Sequence, residues 1–321
     1  MRVLSAAVIC VSLACGSPAH AQGTWPEKPV RVIVPSSPGG GADAYSRVMV
    51  AALSEAFRTQ FIVENRPGGN GNIGAEAAAR AVPDGYTVLI SASPALIMNP
   101  SIYKNLSYNA ERDLVPVAAG VINPLIFVVH PSIPARTLSD LVALGKRFPG
   151  KLSYGSAGQT SSTALGVQLL EESSGATFTN IPYKGLVQAY QNLLSGELSF
   201  MYSDVATVLA HVRSGKIVPL AISYRANQLP TVPTVVEAGF PEAEVHASFM
   251  VAAPTGTPGA IIQRLNSEVN RLMKTPEVAA RLDALVLVPI FNTPEEFAIR
   301  LRKEREKWAA HIRRLGVKAD E

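Results

Sequence analysis

Residues 29–43, PVRVIVPSSPGGGAD, decide the fold of this chain. The β-branched run of Pro29–Pro35, which is bounded by prolines, predicts a strand, and a helical pattern of apolar residues follows over Asp43–Arg58. Between them lies the first loop (residues 36–43), whose small residues allow close approach of a ligand: Ser36, Ser37, Pro38, Gly39 and Gly40. Because a helix start has unpaired N–H groups, the loop predicts an anion site. Asp43 is either a ligand contact or only a helix-start residue.

The alternation of strand and helix continues beyond this stretch. Strand patterns occupy Gln60–Glu64 and Tyr86–Ser91, and an Ala-rich helical pattern lies between them at Ala75–Ala81. The resulting β-α-β-α-β order predicts a mostly parallel sheet covered by helices.

A second α/β unit is predicted at roughly residues 123–246. It opens with Val121–His130, VINPLIFVVH, which we interpret as one long strand. The second loop (residues 156–161) joins a later strand to a helix and is rich in small hydroxyl residues. Because open parallel sheets bind ligands beyond the carboxyl ends of their strands, two such loops predict a cleft between two lobes.

The carboxyl-terminal segment predicts an amphipathic helix. Thr293 fits the N-cap of a capping box, with Pro294 at the first helical position and Glu296 at the third. Apolar residues then recur at helical spacing to Leu315. The charges on this helix are mixed in sign, so the pattern favours a solvated face over a nucleic-acid surface.

Composition narrows the class of protein. Of the 321 residues, 47% are hydrophobic and 17% are charged, and the net charge is +4. The low charge fraction excludes disorder and a coiled coil. Two cysteines are too few for a disulfide framework or a thiolate metal site, and the histidines show no metal-binding spacing. We therefore expect no metal and no cofactor.

The amino terminus has the form of a secretory signal. A positive start at Arg2 precedes a short apolar run, and Ala19-His20-Ala21 fits a signal-peptidase site. We expect residues 1–21 to be removed, and both cysteines go with them. Lipid attachment at Cys15 is an alternative, which Ser12 disfavours because leucine usually stands at that position.

Two enzymatic alternatives find little support. Gly69–Gly74 matches the dinucleotide-binding motif G-x-G-x-x-G. Four residues separate the motif from the preceding strand, however, and no acid follows the next strand. A turn that caps a helix therefore fits this stretch better than a dinucleotide site. Ser156 lies outside a G-x-S-x-G motif, and no histidine pairs recognisably with it.

Ordered stretches along almost the whole chain resemble the Bug family, the periplasmic solute receptors of tripartite tricarboxylate transporters. The stretches that carry this resemblance are Trp25-Pro26, Pro29-Val30-Arg31, Pro38-Gly39-Gly40-Gly41 with Asp43, Glu64-Asn65-Arg66-Pro67-Gly68, Pro83-Asp84-Gly85-Tyr86-Thr87, Ile181-Pro182-Tyr183-Lys184-Gly185, Leu229-Pro230, Val232-Pro233-Thr234, Glu237-Ala238-Gly239, Pro254 and Gly256-Thr257-Pro258.

The resemblance implies a two-lobed α/β periplasmic binding protein that closes on its ligand like a Venus flytrap. Domain 1 is then discontinuous, at residues 22–122 and 247–321, and domain 2 is residues 123–246. Carried over by position, the ligand site consists of the first loop, the second loop, two serines after the third strand and one acid: Ser36, Ser37, Pro38, Gly39, Gly40, Asp43, Ser91, Ser93, Ser156, Ala157, Gly158, Thr160, Ser161 and Asp204.

Some positions depart from the family pattern. Thr160 stands where members often have glycine, Ala164 stands where they often have histidine, and Ser248-Phe249-Met250 replaces a common Trp-x-Gly stretch. These departures leave the identity of the ligand open. Whether Lys184 and Asp204 contact the ligand is also open.

We expect a monomeric, non-enzymatic receptor in the periplasm that captures a small carboxylate for the membrane subunits of a transporter, and we expect no nucleic-acid partner. Two alternatives remain open at this point. One is an exported sensor that reports ligand occupancy to a membrane signalling partner. The other is a secreted hydrolase that uses Ser156.

Overall fold

The computed structural model describes residues 25–183 and 186–316. The predicted signal segment and Lys184 lie outside the described residues. Within those two ranges, no helix combines the length and apolar character needed to cross a membrane.

Strands and helices alternate along most of the chain. The strands are β1 (Val30–Val34), β2 (Phe61–Asn65), β3 (Thr87–Ala92), β4 (Leu114–Asn123), β5 (Leu125–Val129), β6 (Ser153–Ser156), β7 (Thr179–Pro182), β8 (Phe200–Asp204), β9 (Val218–Ile222), β10 (Ala247–Pro254) and β11 (Val288–Pro289). The helices are α1 (Gly41–Phe57), α2 (Asn72–Ala79), α3 (Asn99–Ile102), α4 (Leu138–Arg147), α5 (Ser162–Ser174), α6 (Leu186–Leu194), α7 (Val205–Arg213), α8 (Gly259–Leu272), α9 (Pro276–Ala284) and α10 (Pro294–Leu315). A π-helical turn, Pro94–Met98, precedes α3.

The strands form two sheets, with the order β11-β4-β10-β3-β1-β2 in the first and β7-β6-β8-β5-β9 in the second. The predicted two-lobed α/β class is confirmed, but both sheets are mixed rather than mostly parallel. β5 runs antiparallel to both of its neighbours, and so does β10. Each of these two strands therefore begins at the side of its sheet where its neighbouring strands end.

The chain passes from the first sheet to the second at Pro124. The prediction of one strand over Val121–His130 is wrong, because β4 ends at Asn123 and β5 begins at Leu125 in the other sheet. Proline has no N–H to donate to a ladder, so it suits the break between two strands. The chain returns to the first sheet at β10, and the exact division into two domains stays a prediction.

Alternate residues of each strand face different helices, as the two-residue period of a strand requires. In β1, Val32 packs with α1 and α8, whereas Ile33 packs with α2. In β5, Ile126 and Val128 join the cluster of α6 and α7, and Phe127 stacks on Tyr202 toward α5. Helices therefore cover both faces of each sheet. Full burial of one large apolar side chain stabilises the folded state by about 1.5–3 kcal/mol.

The carboxyl-terminal helix forms as predicted and ties the two units together. Thr293 accepts from the Glu296 amide, and the Glu296 carboxylate accepts from the Thr293 amide, which completes the capping box. Phe297, Leu301, Trp308 and Ile312 are buried in a hydrophobic cluster that includes residues of both units. Near the helix end, Arg314 forms an ion pair with Glu172 of α5.

Candidate ligand-binding site

In each sheet, four strands have their carboxyl ends along the same edge, and these two carboxyl edges adjoin. In the first sheet, β1 to β4 all point the same way, because β10 is antiparallel to both β3 and β4. In the second sheet, β6 to β9 share one direction for the same reason, with β5 between β8 and β9. Since β4 leads through Pro124 directly into β5, the two carboxyl edges adjoin. The two predicted loops leave these edges, after β1 and β6.

Asp43 holds the first loop in shape. Its carboxylate accepts hydrogen bonds from the Gly39 amide, from Arg47 Nε and from Asn65 Nδ2, each at 2.9 Å. Burial alone would raise the pKa of Asp43, but the hydrogen bonds from Arg47, Gly39 and Asn65 outweigh burial and hold the pKa below its usual value. With its oxygens engaged in this way, the carboxylate organises the loop.

The start of α1 leaves hydrogen-bond donors free. Gly40 is the N-cap residue, so it offers no side chain to the helix, and the first amide that bonds within the helix is that of Ala44, to the Gly40 carbonyl. The preceding amides of the first turn lack an intrahelical acceptor and carry the positive end of the helix dipole. Ser36 Oγ is also buried without a hydrogen-bond partner among the described residues. These donors suit a negatively charged ligand.

The backbone packs tightly behind this helix start. A methyl group on Gly41 would stand 2.9 Å from Cζ of Phe249 and 3.8 Å from Nδ2 of Asn123. Position 41 must therefore stay without a side chain, since the Phe249 ring is itself stacked on Tyr45. This packing also brings Asn123, at the end of β4, next to the first loop.

Asn123 in turn contacts Asp204 of the second sheet. Its Nδ2 donates to Oδ1 of Asp204, which ends β8. Burial raises the pKa of the Asp204 carboxyl, and the hydrogen bond from Asn123 offsets this only in part. The residue itself remains partly exposed. The structure thus brings Asp204 close to the start of α1. The sequence alone does not show this proximity.

The second loop satisfies much of its own hydrogen bonding. Ser161 is the N-cap of α5 and accepts from the Ala164 amide, while its hydroxyl donates to the Gly158 carbonyl at 2.7 Å. Thr163 Oγ1 accepts from the Ala157 amide. Gly158 adopts a φ of 103°, which favours glycine. Thr160, between these residues, makes no side-chain hydrogen bond to a described residue.

Ser156 is oriented by a neighbouring strand. Its hydroxyl donates to Oδ1 of Asn180 on β7 at 2.8 Å, and the residue is fully buried. No imidazole of the described residues bonds to it, so the geometry gives no support to a serine nucleophile. Among residues 25–183 and 186–316, His, Cys, Asp and Glu also form no group able to hold a metal ion.

The two serines after β3 have structural partners. Ser91 Oγ donates to the Ala92 carbonyl, and Ser93 Oγ accepts from the Ser248 amide at 2.8 Å. Both are almost completely buried. Ser93 therefore ties the end of β3 to β10.

Two residues of the site escape prediction from the sequence. Asn123 and Asn65 end β4 and β2 at the same edge, and each places its amide on a carboxylate. A polar residue that closes an apolar strand is the only local indication of such a role. Their partners, Asp204 and Asp43, are distant in the sequence.

Known proteins are similar to this chain over almost its whole length. Residues 45–317 match the family model described as tripartite tricarboxylate transporter family receptor. The chain is 35% identical to the BugT protein of Bordetella pertussis over 298 residues, which is 92% of this chain and 91% of that protein.

Two solved structures from Rhodopseudomonas palustris are similar throughout. One, solved with adipate, has a TM-score of 0.84 and 28% identity and covers 92% of this chain and 99% of its own. The other, MatC with bound malate, has a TM-score of 0.79 and 26% identity and covers 90% of this chain and 100% of its own. The chain therefore belongs to the receptor family of the tripartite tricarboxylate transporters and is a solute-binding receptor, as its resemblance to the Bug family predicts.

Proposed function

We propose that this receptor captures a small carboxylate in the periplasm and presents it to the membrane subunits of its transporter. The uncapped start of α1, at the point where the two carboxyl edges meet, is the observation that carries this proposal. The signal-like residues 1–21 support export.

A carboxylate fits the donors at this site. The free amides at the start of α1 and the Ser36 hydroxyl donate hydrogen bonds, and the helix dipole adds positive potential. The Arg47 side chain is already paired with Asp43. The related structures with adipate and malate support the same class of ligand.

The ligand acts by closing the two lobes. The proposed division is residues 22–122 with 247–321 against residues 123–246, and the chain crosses between the sheets at Pro124 and before β10. A ligand that contacts both lobes binds the closed form more tightly, so it shifts the population toward that form. Binding of this kind involves no chemical step.

Calorimetry on the mature chain, residues 22–321, tests the class of ligand. We expect one or more members of a panel of mono-, di- and tricarboxylates to bind with micromolar or tighter affinity, about −8 kcal/mol or better. Amines and neutral sugars of similar size serve as the comparison. Binding of an amine or a sugar with no response to any carboxylate would reject the proposal.

The substitution Gly40→Asp tests the location of the site. Gly40 has a φ of −75°, and a methyl group there meets only Ser37 O at 3.5 Å, so aspartate fits and caps α1. Its carboxylate occupies the free amides and repels an anionic ligand. We expect the affinity to fall at least about tenfold.

Gly259→Asp is the matched control. Gly259 begins α8, where a side chain meets open space, and the change in net charge is the same. We expect unchanged affinity in this variant. Equal losses in both variants would place the ligand elsewhere.

A further inference from the structure

A cavity of about 250 Å³ lies beneath α10. We call it the α10 cavity; its walls come from α10, from β10 and the residues before it, and from the π-helical turn after β3. In β10, Phe249 faces Gly41 and α1, whereas Met250 lines the α10 cavity. Because adjacent strand residues face opposite sides of a sheet, the cavity and α1 lie on opposite faces.

The α10 cavity carries balanced charges that form no ion pairs among the described residues. Glu244, Arg300, Glu304 and Lys307 line it. None of these side chains forms an ion pair with another described residue. Two cations and two carboxylates facing one space suit a molecule that carries both charges.

His246 supplies an unused polar atom at the same place. Its Nδ1 is inaccessible to solvent and has no hydrogen-bond partner among the described residues. Burial, together with the nearby Arg300 and Lys307, lowers the pKa of His246 to about 4, so the imidazole is neutral at pH 7. The neutral ring has one N–H to donate, and it lies near the cations Arg300 and Lys307 in the wall of the cavity. This side of the cavity suits a ligand carboxylate.

Apart from Ser93 and Ser248, the remaining wall is apolar. Ile97, Met98, Phe297, Leu301 and Trp308 line the cavity together with Met250. The volume is slightly below the usual range of about 300–1,000 Å³ for ligand pockets, so the occupant is a small molecule.

We propose that the α10 cavity is a second ligand site, which binds a small amino acid zwitterion with an apolar side chain. The carboxylate pairs with Arg300 on the helix, and the ammonium faces Glu244 on the opposite wall. The apolar side chain packs against Trp308 and Met98.

Calorimetry with L-leucine tests this site on the mature chain. Isocaproate has the same carbon skeleton without the amine, and isopentylamine has it without the carboxylate. We expect leucine to bind at least about tenfold more tightly than either compound. No leucine binding at millimolar concentration, or equal binding of isocaproate, would overturn the proposal.

Two pairs of variants locate the binding. Arg300→Gln should weaken leucine binding at least about tenfold, whereas Arg302→Gln, an exposed position on the same helix, should leave it unchanged. The Gly40→Asp variant should retain leucine binding, since it alters only the site between the sheets. Equal effects of the two arginine substitutions, or loss of leucine binding in Gly40→Asp, would contradict a separate site in the α10 cavity.

Discussion

The first and second loops occupy equivalent places in the two units but are built differently. In the first loop, the helix N-cap is Gly40, and a carboxylate inside α1, that of Asp43, folds back on the loop. In the second loop, the N-cap is Ser161, whose hydroxyl bonds both to its own helix and to the Gly158 carbonyl. The first loop leaves the start of α1 without a side-chain cap, whereas the second loop caps the start of α5.

This difference leads us to propose different tasks for the two loops. An uncapped helix start offers amides and positive potential, so we expect the first loop to supply most of the attraction for an anion. A capped and internally bonded loop offers fewer free donors but holds its shape, so we expect the second loop to form a rigid opposing wall. The following substitutions test that division, from the largest expected effect to the smallest.

Asp43→Asn should produce the largest effect. The asparagine side chain keeps only one acceptor oxygen, so either Asn65 or the pair formed by the Gly39 amide and Arg47 loses its acceptor. We expect a loss of about 2–3 kcal/mol in the free energy of unfolding. Since the same contacts shape the first loop, ligand affinity should fall by more than about tenfold. Urea denaturation and calorimetry measure the two quantities.

The pH dependence of this effect has a definite sign. Because the pKa of Asp43 is lowered in the folded protein, its stabilising contribution is complete above its unfolded value and is lost as the pH falls through the folded value. The stability difference between wild type and Asp43→Asn should therefore shrink below about pH 4. Asp140→Asn, which alters an exposed capping carboxylate on α4, is the control and should leave ligand affinity unchanged. Equal affinity losses in the two variants would refute a special role for the first loop.

Ser161→Ala should have an intermediate effect. Loss of the cap removes the bond from the Ala164 amide, and we expect a loss of about 1 kcal/mol in stability. Ligand affinity should fall less than in Asp43→Asn, since the second loop acts through its rigidity. Thr137→Ala removes an equivalent cap from α4 and should cost stability without changing affinity. A larger affinity loss in Ser161→Ala than in Asp43→Asn would reverse the comparison.

Asp204→Asn should have the smallest effect, seen mainly in the pH dependence. The raised pKa means that folding favours the protonated carboxyl, so this residue stabilises the fold at low pH and opposes folding once ionised. The variant should therefore be no less stable than wild type at pH 7. A protonated Asp204 also repels an anion less, so wild-type affinity should rise as the pH falls through the raised pKa of this carboxyl. Calorimetry should show a weaker slope in Asp204→Asn; an unchanged slope would exclude Asp204 from the site.

Local patterns predicted most of the secondary structure in the first half of the chain. The strand at residues 30–34, the helix after Asp43 and the capping box at Thr293 depend on neighbours in sequence, and all three form. The helices α7, α8 and α9 and the strand β10 were not predicted. The single strand expected over Val121–His130 was wrong, because periodicity cannot show that a chain changes sheets.

By itself, the sequence determined the α/β class, the family and the two strand-to-helix loops, since each follows from residues close together in the chain or from ordered motifs. The tertiary structure decided which polar groups in those loops remain free. Asp43 is engaged by Asn65, 22 residues away, and Asp204 by Asn123, 81 residues away. Such pairs form only when α1 and the strand ends of the two sheets pack together, so the partners follow from tertiary packing.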